Sequence, residues 1–140
     1  MSKTDWIITC VIVALVLVCL KIFTSIGCSE RSPKAIRQVI LANGGFETLV
    51  KTCAEVSPDC EPARFMETKD YERFPKVIAE LRPQLIESHD GILYMQLSTG
   101  FCHRKLVVSQ EINPNFDSEI LPSPTKIIEL TSRVFYVREG

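Results

Sequence analysis

The chain is predicted to be an α+β protein, with an N-terminal transmembrane helix followed by a small domain. In that domain two to three helices pack on an antiparallel sheet of about four to five strands. Three observations carry this expectation. Residues 6–20 are an unbroken uncharged run whose one polar side chain, cysteines aside, is Thr9. Between residues 33 and 81 apolar side chains recur at helical spacing. From residue 85 onward the period drops to two. The boundary falls near residue 28, dividing the chain into an anchor or signal segment, 1–28, and a domain, 29–140.

At ~1.5 Å per residue, a helix over residues 6–20 is about 22 Å long, short of a ~30 Å bilayer core. Continued through Lys21 to Cys28 it reaches about 34 Å, which suffices. Lys21 can run its methylenes along lipid and lift its ammonium to the headgroups, and Trp6 suits the opposite interface. The expectation is a retained anchor in contact with the bilayer through residues 6–28. A cleaved export signal is the main competing reading, because Ser25 and Gly27 are small residues at alternate positions, and a buried helix of a soluble protein is the third. Cys28 follows Gly27 as in a lipoprotein processing site, which makes it a candidate for lipidation. Ser25, however, stands where that pattern wants Leu, and Lys21 separates the apolar run from the site. Orientation has two opposed signals. Lys21, Arg31, Lys34 and Arg37 outnumber Lys3, which would keep the domain in the cytoplasm by the positive-inside rule. A short tail before an apolar run is instead the layout of an export signal-anchor, and an exported domain is the expectation.

Of the 140 residues, about 112 follow the anchor, enough for one core and too few for two domains. Setting aside Lys3, Lys21 and Asp5 leaves 14 basic and 16 acidic groups, net −2. This balance provides no electrostatic footprint for nucleic acid, which is excluded as a partner.

Ser32-Pro33 opens the first domain helix with a capping hydroxyl and a proline where no N–H is needed. Ala35, Ile36, Val39 and Ile40 form its apolar stripe, and Asn43-Gly44-Gly45 ends it. Phe46, Leu49, Val50 and Cys53 repeat the spacing in a second helix over about 46–56, stopped by Ser57-Pro58. Residues 59–71 carry Pro62 and are expected to be mostly loop. Phe74, Val77, Ile78 and Leu81 mark a short helix with Pro75 in its first turn, ended by Arg82-Pro83.

Residues 85–88 read as a strand, and Asp90-Gly91 is a two-residue hairpin signal. Over 92–98, Leu93, Met95 and Leu97 alternate with Tyr94, Gln96 and Ser98. Thr99-Gly100 turns the chain into a strand with Cys102, Arg104, Leu106 and Val108 opposite His103, Lys105 and Val107. The expected product is a meander with one face buried under the helices. Residues 113–125 are a loop with three prolines, pinned by Phe116 and Leu121. Strands at 126–130 and 134–138 close the chain, paired through 131–133.

The segment 74–81 with Pro83, the alternating hairpin around 94–108 and the closing Phe135-Tyr136 resemble small bacterial membrane-anchored or exported α+β proteins. The resemblance spans about the last 70 residues. That class has no assigned activity, so the resemblance implies a fold and no site residues. Hairpins of the class carry a Gly pair before an aromatic, whereas Ser98-Thr99-Gly100-Phe101 has one Gly.

No catalytic, cofactor or metal-binding motif stands out. Adjacent Cys102 and His103 point to opposite faces of a strand and should not meet as a thiol–imidazole pair. His89 precedes a tight turn, where a polar ring is unremarkable. A zinc site from Cys53, Cys60, Cys102 and a histidine lacks the usual two close ligand pairs. Asp59, Glu61, Asp70 and Glu72 read as a solvated face. Cys53 and Cys60, at a helix end and just past a Ser-Pro-Asp turn, are candidates for a disulfide if the domain is exported. The sequence therefore points to a non-catalytic binding or interaction module at a membrane, its protein partner unspecified. The alternative is a small enzyme or a thiol-redox or zinc protein using Cys53, Cys60 or Cys102.

Overall fold

The computed structural model describes residues 3–30, 32–60, 64–98, 103–114 and 125–139. The chain divides into two compact units at Glu30/Arg31. The first is a single helix, α1 (Lys3–Glu30). None of its residues Thr4–Phe23 is buried. Thr9, the polar interruption of the run, donates its hydroxyl to the Asp5 carbonyl at 2.8 Å, one turn back. The helix thereby leaves no side-chain donor exposed there.

The second unit begins with α2 (Pro33–Ala42) and α3 (Gly45–Val56). The Ser32 hydroxyl accepts from the Ala35 N–H at 3.2 Å, and Pro33 occupies the first turn, as the sequence reading expects. Between the helices Gly44 takes φ +104°, and a Cβ there would come within 2.8 Å of Thr48 Oγ1. Only glycine fits that corner. The α-helix ends at Val56, as Ser57-Pro58 predicts, and the chain then tightens into a 3-10 turn, Ser57–Cys60. Proline is tolerated because it sits in the first turn of the new segment. The Ser57 hydroxyl bonds that of Ser88, tying the turn to the sheet. The last helix, α4 (Lys76–Leu81), ends with Arg82 in the left-handed region, φ 47°.

Among the described residues the sheet is antiparallel, with five long strands and one short one. These are β1 (Arg64–Phe65), β2 (Leu85–His89), β3 (Ile92–Ser98), β4 (Arg104–Ser109), β5 (Thr125–Thr131) and β6 (Val134–Glu139). Their order is β1-β2-β3-β4-β6-β5. Asp90 and Gly91, both at positive φ (49° and 76°), make the primed turn between β2 and β3. The two-residue β1 lies inside the segment expected to be loop. It pairs Arg64 with Ile86 and Phe65 with Leu85. Beside it a 3-10 turn, Thr68–Asp70, is closed by a reciprocal box between Glu67 and Asp70. The expected 99–100 turn and the pinning residues Phe116 and Leu121 lie outside the described residues.

One face of the sheet carries Ile86, Leu93, Met95, Leu97, Leu106, Val108, Val134 and Tyr136, packed with α2, α3 and α4 side chains in the main core. Gln110 Nε2 and Arg37 add hydrogen bonds from sheet to helix, to the Val50 carbonyl and from α2 to the Leu130 carbonyl. The reading of a single buried face is corrected by the other side. Tyr94, Val107, Phe135 and Val137 form a second buried cluster. Tyr94, assigned from alternation to the polar face, is only 2 % exposed. Its cross-strand partner Val107 and that residue's partner Phe135 surround it with apolar surface on the same row.

Truncating the second cluster should therefore cost as much as truncating the first. Phe135→Ala is expected to destabilise the domain by about 3–5 kcal/mol. Ile112→Ala, at an exposed position, should stay within roughly 0.5 kcal/mol. Urea unfolding of the detergent-solubilised chain measures both.

Candidate functional site

Charged side chains gather where β4 and β5 begin and β6 ends. The register sets Arg104 directly opposite Arg138, and Arg138 directly opposite Lys126. All three share the face of Leu106, Tyr136 and Ile128, which occupy the next row. Arg104 is half-buried, whereas Lys126 and Arg138 are exposed. Arg104 is held by its hydrogen bond to the Tyr136 hydroxyl and by a 3.4 Å bond from Nη1 to the His103 carbonyl. Burial raises the Tyr136 hydroxyl above the ordinary tyrosine range, and the guanidinium groups of Arg104 and Arg138 oppose that rise.

The opposite face of the same strand ends has a different composition. Lys105 Nζ lies 2.7 Å from Glu139 Oε1, with both side chains about five-sixths covered. Glu139 Oε1 accepts no hydrogen bond, so the approach is oblique and charge holds the pair. His103 Nδ1 stands 3.9 Å from Glu139 Oε2, too far for a hydrogen bond. Among the described residues at this corner of the sheet, Arg104, Lys126 and Arg138 lie on one face, and Lys105 pairs with Glu139 on the other, in a domain whose overall balance is acidic.

The residues singled out from the sequence are scattered by comparison. Cys53 and Cys60 are both fully buried and belong to the main core. They stand as thiols. Burial pushes the Cys53 thiol well up, and the nearby Cys60 adds to the rise. A thiol so disfavoured as thiolate is a poor nucleophile and a small hydrophobe instead. Cys28 lies in the last turns of α1. Cys102 and Glu61 lie outside the described residues. Among the described residues no group of three or more His, Cys, Asp or Glu is placed to hold a metal ion. His89 is exposed at the end of β2, opposite Ile92. Asp70 is buried and closes its 3-10 turn by accepting from the Glu67 N–H at 2.8 Å, rather than lying on a solvated face. The concave surfaces along α1, lined by Ile12, Leu15, Val16, Cys19, Leu20 and Phe23, are open grooves of a bare helix.

Comparison of the chain with family models, with curated proteins and with solved structures finds no match.

The shifted thiol has a measurable consequence. Unfolded Cys53 ionises near ~8.5, whereas folded Cys53 stays protonated well above that. The unfolded state then holds fewer protons, so stability is full below about pH 8.5 and declines as pH rises beyond it. The limiting slope for this one group is about 1.4 kcal/mol per pH unit. Cys53→Ala should lower stability throughout while flattening the slope between about pH 8.5 and 10. Urea melts of the reduced protein across that range read the slope directly.

Proposed function

We propose that the chain is a single-pass membrane-anchored protein whose 29–140 domain is a non-catalytic binding or interaction module held at the bilayer. The observation that carries the anchor is the bare surface of α1. From Trp6 to Phe23 its large apolar side chains are 52–78 % exposed. Fully burying one such side chain is worth about 1.5–3 kcal/mol. Leaving more than ten of them in water forfeits on the order of ten kcal/mol or more, comparable with the whole ~5–15 kcal/mol stability of a domain. Lipid offsets that loss, and a helix satisfies its own backbone there. The 28 residues of α1 extend about 42 Å, enough to cross a ~30 Å core with its ends in the interfaces.

The module reading draws on the second unit. Among the described residues its buried groups are consumed by packing: the Cys53 and Cys60 thiols sit in the core, and the Asp70 carboxylate closes a turn. Its exposed chemistry is a cationic edge suited to holding a partner by charge. The resemblance to small bacterial anchored or exported proteins runs the same way. The domain is read as exported, against the Lys and Arg count beside the apolar run.

Alkaline carbonate treatment of native membranes should leave the protein in the pellet, and its release into the supernatant would remove the anchor. An export-dependent reporter fused after Gly140 should be active. In that compartment Cys53 and Cys60 are expected to be joined, with their two electrons and two protons passed to a disulfide-bearing oxidant by exchange. Mass spectrometry without reduction should find the two peptides linked. An inactive reporter together with freely alkylated thiols would reverse the orientation.

A further inference from the structure

Nothing among the described residues accounts for the row Arg104–Arg138–Lys126 as a stabilising feature of the fold. Like charges directly opposite one another across strands are destabilising. Burial does not force the arrangement, since Lys126 and Arg138 are exposed. Among the described residues none of the three has a carboxylate within ion-pair distance. Glu139, one residue from Arg138, points to the other face and is taken by Lys105. The Tyr136 hydroxyl and the His103 carbonyl hold Arg104 beside its like-charged neighbour. Three adjacent strands thus present two guanidinium forks and one ammonium on a single row, with one fork fixed in place.

We propose that this row is a binding site for a phosphate-class oxyanion, carried either by a lipid headgroup or by a soluble phosphate. A carboxylate uses one fork and leaves the remaining cations opposed. A tetrahedral oxyanion offers three outward oxygens and meets all three groups at once. Guanidinium matches two of those oxygens in parallel and lysine supplies a point charge. Neutralising the row also removes the cross-strand repulsion, so ligand and fold stabilise each other. The inference rests on the reading of the domain as a binding module and is independent of the membrane anchor.

The test uses the full chain in a neutral detergent, titrated calorimetrically at fixed ionic strength. The probes are inorganic phosphate and dihexanoyl phosphatidic acid, a phosphomonoester with three free oxygens, below its micellar concentration. Saturable binding of at least one probe is expected. Arg138→Gln and Lys126→Gln should each weaken it by about tenfold, the equivalent of one lost ion pair of about 1.4 kcal/mol. Both positions are exposed, and without ligand at low salt Arg138→Gln should melt no lower than the native chain because it relieves repulsion. Tighter binding of the phospholipid assigns the site to headgroups, and equal binding assigns it to free phosphate; either supports the site. No saturable heat with either probe, or binding that both Gln variants retain, overturns it. Carbonate extraction of the same protein is unaffected by either result, so failure of the site and failure of the anchor are read separately.

Discussion

The central strands of the sheet are buried on both faces, and the rest of the domain is arranged around that fact. Leu106, Val107 and Val108 of β4 are consecutive and fully buried, and so are Val134 to Val137 of β6 with at most 6 % exposure. An antiparallel sheet with one wet face would alternate apolar and polar residues. These two strands do not alternate, so each must be covered above and below. The helices α2, α3 and α4 cover one face, and on the other Tyr94, Val107, Phe135 and Val137 pack together in a second buried cluster. Placing β6 between β4 and β5 makes this possible, because both apolar strands then gain neighbours on each edge. Apolar burial stops at the strand ends where Arg104, Lys105, Arg138 and Glu139 begin.

The parts of the fold legible in the sequence are those set by local chemistry. Ser32-Pro33, Asn43-Gly44-Gly45, Asp90-Gly91 and Arg82-Pro83 each impose a backbone conformation within a few residues, and each structural boundary falls there. What was not legible depends on distant partners. Arg64 and Phe65 form a strand because β2 offers an edge, and nothing in Pro62 or its polar neighbours signals that. Tyr94 alternates with Leu93 and Met95 as a polar-face residue should. It is buried because Val107 stands opposite it and Phe135 stands one strand further on. Tyrosine is ambiguous by nature, with an apolar ring and a polar tip.

The cationic row shows the same limit at the level of the site. Arg104, Lys126 and Arg138 are spread over 35 positions of the chain. They become neighbours through the β4-β6-β5 order, which reverses the last two strands relative to the sequence. Net charge conceals them as well, since an acidic total coexists with a local excess of cations. The cysteines present the converse case. Their spacing drew attention to a disulfide, yet the core location of Cys53 and Cys60 explains both residues as small apolar fillers in the reduced protein. Oxidation in an export compartment is then an addition to a fold that already closes around them.

On the proposed account the chain is two independent solutions to burial, with α1 covered by lipid and the domain covered by itself. Hydrogen exchange of the full chain in lipid nanodiscs, followed across a urea series, tests this most directly. Amides of the Thr4–Phe23 segment should stay protected at urea concentrations where the amides of β3, β4 and β6 have exchanged together as one cooperative unit. Rapid exchange of that segment in the nanodisc, or its loss of protection in step with the sheet, would contradict the account.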